Sequence, residues 1–172
     1  MAVLAAGCDD GLGSGRAPIL ESSFTLFSAA RQDLFRMPSA YDFFRLQLRP
    51  IEHQFATGDG WDVALTEAES EFKLAAPGAF PGLGGLNAGI AVIPNATFEE
   101  VERAPAAAAE YEQTELVSLR PGDVYVVRSR RLQGCSVYAK FRAVEQDPGF
   151  GSVRFEYLVN PNCGDRALVP DD

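Results

Sequence analysis

The sequence predicts a mainly β fold, an antiparallel sheet or sandwich with one or two short helices. Three observations predict it. Short runs rich in Val, Phe and Tyr recur along the chain, bounded by Gly, Pro, Asn and Asp clusters at short spacing. The helical signals are brief. Residues 137–161 read as a complete hairpin, the runs 137–145 and 153–161 around the turn cluster Asp147-Pro148-Gly149-Phe150-Gly151. With 172 residues the chain has room for one domain and one core.

The elements follow in order. Residues 23–28 (SFTLFS) form a first strand, and 29–35 (AARQDLF) a helical turn stopped by Met37-Pro38. Residues 41–53 read as extended, Phe44, Leu46 and Leu48 alternating with Arg45, Gln47 and Arg49. Pro50 ends that strand or places it at a sheet edge. After the turn Thr57-Gly58-Asp59-Gly60 come a strand at 61–65 (WDVAL) and a return strand at 71–75 (EFKLA). Residues 77–89 (PGAFPGLGGLNAG) are an irregular loop, whose glycines lack the strand–GxGxxG–helix order of a phosphate cradle. A short strand at 90–93 precedes a helix at 97–103 (TFEEVER), where Thr97 and Glu100 have capping-box spacing. Residues 119–122 turn, and 123–130 (DVYVVRSR) lead as a strand into the hairpin.

Composition excludes several functions. Net charge is −9 with 24 acidic against 15 basic residues, which argues against a nucleic-acid surface and favours a neutral or basic partner. A single histidine, His53, rules out histidine-rich metal sites, and no metal site is expected. No nucleophile–base pattern surrounds His53 and no carboxylate pair stands out, so no catalytic residues are expected and the chain reads as a non-enzyme. Lys140 and Arg142 read as the outward face of a sheet.

The cysteine count is odd: three thiols cannot all pair within the chain. In an antiparallel hairpin centred on Gly149, Cys135 faces Cys163. The same register puts Val137, Ala139, Phe141 and Ala143 on one apolar face with Phe155, Tyr157 and Val159, and sets Arg142 opposite Glu156. A one-residue slip inverts every face. The register predicts a Cys135–Cys163 disulfide, with two buried free thiols as the alternative and a bulge in the turn as what would spoil it. Such a staple belongs to an oxidising compartment.

Cys8 remains. The opening residues 1–8 (MAVLAAGC) resemble the lipobox of bacterial lipoproteins, with Ala5-Ala6-Gly7 before the cysteine. The resemblance implies cleavage before Cys8 and acylation of its thiol and new amino group, the two chains that stable anchoring needs. The alternative is an incidental thiol in a terminal tail. Residues 1–7 then read as a truncated lipoprotein signal, since the apolar stretch is shorter than the ~7–15 residues usual before a cleavage site. Residues 8–20 read as a Gly-containing tether and 21–172 as a single β-rich domain.

Several segments together resemble the HmuY-like lipoproteins: Trp61-Asp62-Val63-Ala64, the glycines at 82–89, the TFEEVER segment, Asp123-Val124-Tyr125-Val126-Val127-Arg128, Tyr138-Ala139-Lys140-Phe141 and Val153-Arg154-Phe155-Glu156-Tyr157. The resemblance implies a lipid-anchored protein of the bacterial envelope, periplasmic or surface-exposed, its membrane contact made through Cys8. It also implies haem as cofactor and an outer-membrane receptor or other envelope protein as partner. The family holds haem iron between paired histidines or methionines, yet no His or Met follows Trp61 here. That leaves a lone His53, a tyrosine or apolar stacking alone to hold haem, with His53 the candidate contact, against its reading as a surface histidine. Two functions stand: an envelope lipoprotein that binds a ligand such as haem, or one that binds only protein.

Overall fold

The structure is a computed structural model and describes residues 16–51, 60–83 and 87–170. Ten strands form two five-stranded antiparallel sheets among these residues. The strands are β1 (Leu20–Phe27), β2 (Ala40–Asp42), β3 (Gln47–Arg49), β4 (Val63–Ala68), β5 (Glu71–Ala75), β6 (Gly89–Ile93), β7 (Val117–Ser118), β8 (Val124–Arg128), β9 (Tyr138–Asp147) and β10 (Ser152–Asn160). The first sheet runs β1-β10-β9-β8-β6 and the second β3-β2-β4-β5-β7. The predicted mainly β class holds.

The core lies between the sheets and is aromatic. Phe24 stacks on Tyr41 with ring centroids 4.2 Å apart, and Phe43, Phe141, Phe155 and Tyr157 close around them. Alternation along each strand puts these rings on the inner face. Burying several such side chains, at roughly 1.5–3 kcal/mol each, dominates the favourable side of folding. Both outer faces are also partly covered. Residues 96–111 and Leu168 lie over the first sheet against Val124, Val126 and Leu158. Trp61, Ile51 and Phe80 lie over Ala40, Ala64 and Ala75 of the second. Small residues on that outer face make room for the Trp61 ring.

The β9–β10 hairpin has the predicted pairing, reached by a different route. Tyr138 faces Asn160, Phe141 faces Tyr157, and Arg142 faces and pairs with Glu156. The turn itself is centred half a residue later, so that Asp147 faces Ser152 and Arg154 faces Glu145. Val144 is the extra residue that absorbs the offset, a β-bulge between the turn and the strand body. Cys135 and Cys163, beyond the strand ends, form the predicted disulfide with Cα atoms 5.3 Å apart.

Three expectations are corrected. The run 41–53 is not one strand through its described part, which ends at Ile51. It folds into the β2–β3 hairpin, because the Asp42 carboxylate accepts the Arg45 N–H at 3.0 Å and Leu46 takes a left-handed φ of 56°. The helix at 97–103 is a single turn. Its capping box does form, Thr97 N to Glu100 Oε2 at 2.8 Å and Glu100 N to Thr97 Oγ1 at 3.3 Å. After it the backbone extends and pairs with the C-terminal segment, Ala104 N to Arg166 O at 2.8 Å and Leu168 N to Glu102 O at 2.7 Å. Cross-chain partners for these groups replace the next helical turn. The turn at 29–35 is a 3-10 helix, Gln32–Leu34. The third correction concerns the boundary of the tether. β1 starts at Leu20, and Ala17 is already bonded to the domain through Asn162.

Candidate functional site

The most unusual local chemistry is a sealed charge cluster joining the two sheets. Asp42 ends β2, Asp62 precedes β4, and Arg130 lies just beyond β8. Arg130 donates from Nη1 to Asp62 Oδ1 at 2.9 Å and from Nη2 to Asp42 Oδ2 at 2.8 Å. Asp62 also accepts the backbone N–H groups of Arg130 and Phe43, both at 2.8 Å. All three side chains are buried, while Arg45 reaches Asp42 from the surface at 3.2 Å and brings the formal charge to zero. Burial pushes the Asp62 carboxyl up, against the attraction of Arg130. Burial works to lower the Arg130 pKa, but its bonds and attraction to Asp42 and Asp62 outweigh this and the net shift is upward. Two neighbouring carboxylates suggest acid–base chemistry in the abstract. Here each is saturated by donors and closed to solvent, so the arrangement ties strands together.

A second buried charge pins the outer layer. Lys140 was expected on the outward face of the sheet; it does face outward, but it is 2% exposed beneath residues 98–101. Its ammonium donates to Phe98 O at 2.6 Å and Val101 O at 3.1 Å and stands 4.6 Å from the Phe98 ring centroid. Burial lowers its pKa. Arg142 lies 5.0 Å from the same ring while paired with Glu156.

The third locality is where the N-terminal segment meets the domain. The Asn162 side chain accepts from Ala17 N and donates to Ala17 O, both at 2.8 Å. The buried Asn160 in turn holds Asn162, and Arg16 pairs with Asp165. Cys163 lies between Asn162 and Asp165, so the disulfide staples the loop that clasps Ala17.

Of the residues singled out from sequence, Cys135 and Cys163 come together as stated. Cys8 and His53 lie outside the described residues. Among the described residues no group of three or more His, Cys, Asp or Glu is arranged to hold a metal ion. Phenols are a further class of haem ligand, and most here are committed. Tyr41 and Tyr157 share a hydrogen bond at 2.9 Å, and Tyr111 donates to Pro105 O at 3.0 Å. Tyr125 accepts from Arg120 N and donates to Ser118 O, tying β8 to the chain just upstream in the manner of a tyrosine corner. An open groove of about 360 Å³ runs past Ser70, Phe72, Ser118 and Arg120, with a mostly polar lining.

Burial raises the pKa of Tyr41, Tyr111 and Tyr125, with the Tyr157 bond adding to the effect at Tyr41. The sign is that of a group kept neutral by folding. The stabilisation is complete below the unfolded phenol pKa of about 10 and is lost as pH rises above it toward the folded value. These three phenols are therefore expected to ionise only as the chain unfolds. An alkaline titration following phenolate absorbance beside circular dichroism checks this. Ionisation of all five phenols before any loss of dichroism contradicts it.

The cluster had a partial signal in the sequence. Asp42 sits in Tyr41-Asp42-Phe43-Phe44 and Asp62 in Trp61-Asp62-Val63-Ala64-Leu65, acids inside otherwise apolar runs. Arg130, between Ser129 and Arg131, carries no such mark. Compared with known proteins, the chain matches no family model, no curated protein and no solved structure.

Proposed function

We propose that this chain is an extracytoplasmic lipoprotein of HmuY-like type, anchored through acylated Cys8 and working as a non-enzymatic binding module for an envelope protein. The carrying observation is the Cys135–Cys163 disulfide, a bond that persists in oxidising compartments. It agrees with the lipobox-like MAVLAAGC opening, an independent sign of export. The filled aromatic core and the mutually bonded phenols support protein binding over haem capture.

Expression of the full chain in a bacterial host tests the anchor. The expected outcome is partition into the detergent phase and an N-terminal peptide bearing acyl chains on Cys8. Cys8→Ser should move the protein to the aqueous phase, and a wild-type chain already in that phase refutes anchoring. Haemin titration tests the choice of ligand. No Soret shift is expected, and a shift abolished by His53→Ala restores haem capture.

A further inference from the structure

We infer that the pole of the sandwich farthest from the tether is the docking surface for a partner protein, with Phe35, Met37 and Phe150 as its anchors. The inference rests on the anchored-module reading and specifies where that module binds.

Phe35 and Phe150 are the most exposed large apolar side chains among the described residues, at 53% and 55%, and Met37 is 36% exposed. The fold gathers them at one end. Phe150 is in the β9–β10 turn, its ring 5.8 Å from that of Phe27 at the end of β1. The 28–38 segment wraps this turn: Ser28 N donates to Gly151 O, Arg31 to Gly149 O, and Phe27 N to Pro38 O. A Cβ on Gly151 would stand 3.2 Å from Leu34 Cδ1, so that turn and that segment are in contact. Arg36 stacks on Phe35 at 5.1 Å. Exposed Phe and Met with an adjacent Arg are the residue types enriched in interface centres, and solvent-exposed apolar clusters mark such sites.

The occupant follows from position and charge. The chain enters at Arg16 and Ala17, clasped beside Asn162 and Asp165. β1 then runs its eight residues away from that point to Phe27, a distance of roughly 25 Å. With Cys8 in a bilayer, the Phe150 pole is the end directed away from the anchor. The net charge of −9 repels both an anionic lipid surface and a second copy of the chain. The surface that fits is an apolar groove on a protein of neutral or basic overall charge.

In-cell photocrosslinking with the full chain tests this, with benzoylphenylalanine placed at position 35, 150 or, as a control near the tether, 20. Positions 35 and 150 should give the same adduct with one other polypeptide, and position 20 should not. The polypeptide so identified, once purified, should bind the wild-type chain and lose about tenfold or more in affinity for Phe150→Ser. The melting temperature of that variant should fall by no more than a few degrees, the loss of the half-exposed ring's contact with Phe27. An adduct of twice the chain's own mass assigns the pole to self-association and overturns the proposal. So does vesicle binding by the wild type, on phosphatidylethanolamine–phosphatidylglycerol liposomes, that Phe150→Ser abolishes. Absence of any adduct at 35 and 150 also overturns it, as does an undiminished affinity for Phe150→Ser. Detergent partition of the same cells separates the two readings: a chain in the aqueous phase refutes the anchor, whereas the adduct reports on the pole alone.

Discussion

Asp62→Asn should lower the unfolding free energy by about 3–5 kcal/mol, the cost of breaking one side of a buried ion pair. The substitution keeps the volume, so no cavity term enters. It replaces an acceptor that takes the Arg130 guanidinium and two backbone N–H groups with an amide carrying only one good acceptor. The amide N–H₂ then confronts a donor, and the buried Arg130 keeps Asp42 as its remaining ionic partner. Arg45→Ala removes the outermost member of the same cluster, 47% exposed, and should cost no more than about 1 kcal/mol. Urea unfolding of the two variants beside the wild type reads the contrast. If Asp62→Asn costs less than Arg45→Ala, the cluster is not the tie between sheets described above.

Removing the disulfide should have the second largest effect. Cys135→Ser with Cys163→Ser opens a loop of about 29 residues, for which chain entropy gives roughly 3.5 kcal/mol. The reduced wild type should unfold at the same denaturant concentration as the double variant, since each lacks the same constraint. Alkylation of the unreduced, unfolded protein should label neither Cys135 nor Cys163. Labelling of both shows that the bond is absent, and equal unfolding midpoints with and without reductant show that it contributes nothing.

Local patterns carried the parts of this fold that depend on local physics. The hairpin is the clearest case. A turn centred on Gly149 gives the register of the strand body, and alternation with Phe141 and Tyr157 on the inner face and Arg142 opposite Glu156 agrees with it. The turn itself is centred half a residue later, and the Val144 bulge reconciles the two. A strand body with one buried face constrains register more strongly than a turn does. At 97–103 the capping box was legible and correct, but it specifies only where a helix starts. What stopped the helix is the segment around Arg166–Leu168, more than sixty positions away, and no local pattern encodes a partner at that distance. The charge cluster shows the same limit: Asp42 and Asp62 are acids in apolar surroundings, but no local pattern joins them into a pair, and Arg130, 68 positions after Asp62, carries no mark at all. Lys140 shows the limit of alternation, which gave its side of the sheet and not the layer folded over it.

The clasp on Ala17 also has a mechanical consequence. β1 is paired along its whole length with β10, Leu20 with Val159 through Phe27 with Ser152, and the chain enters at the Leu20 end. A pull between the tether and the opposite pole acts along the strand axis. The interstrand hydrogen bonds then share the load in shear and must yield together. A pull across the sheet at the same residue would peel β1 away one pair at a time. With the proposed anchor and the proposed docking pole, the line from membrane to partner is the direction in which the β1–β10 pairing resists tension best.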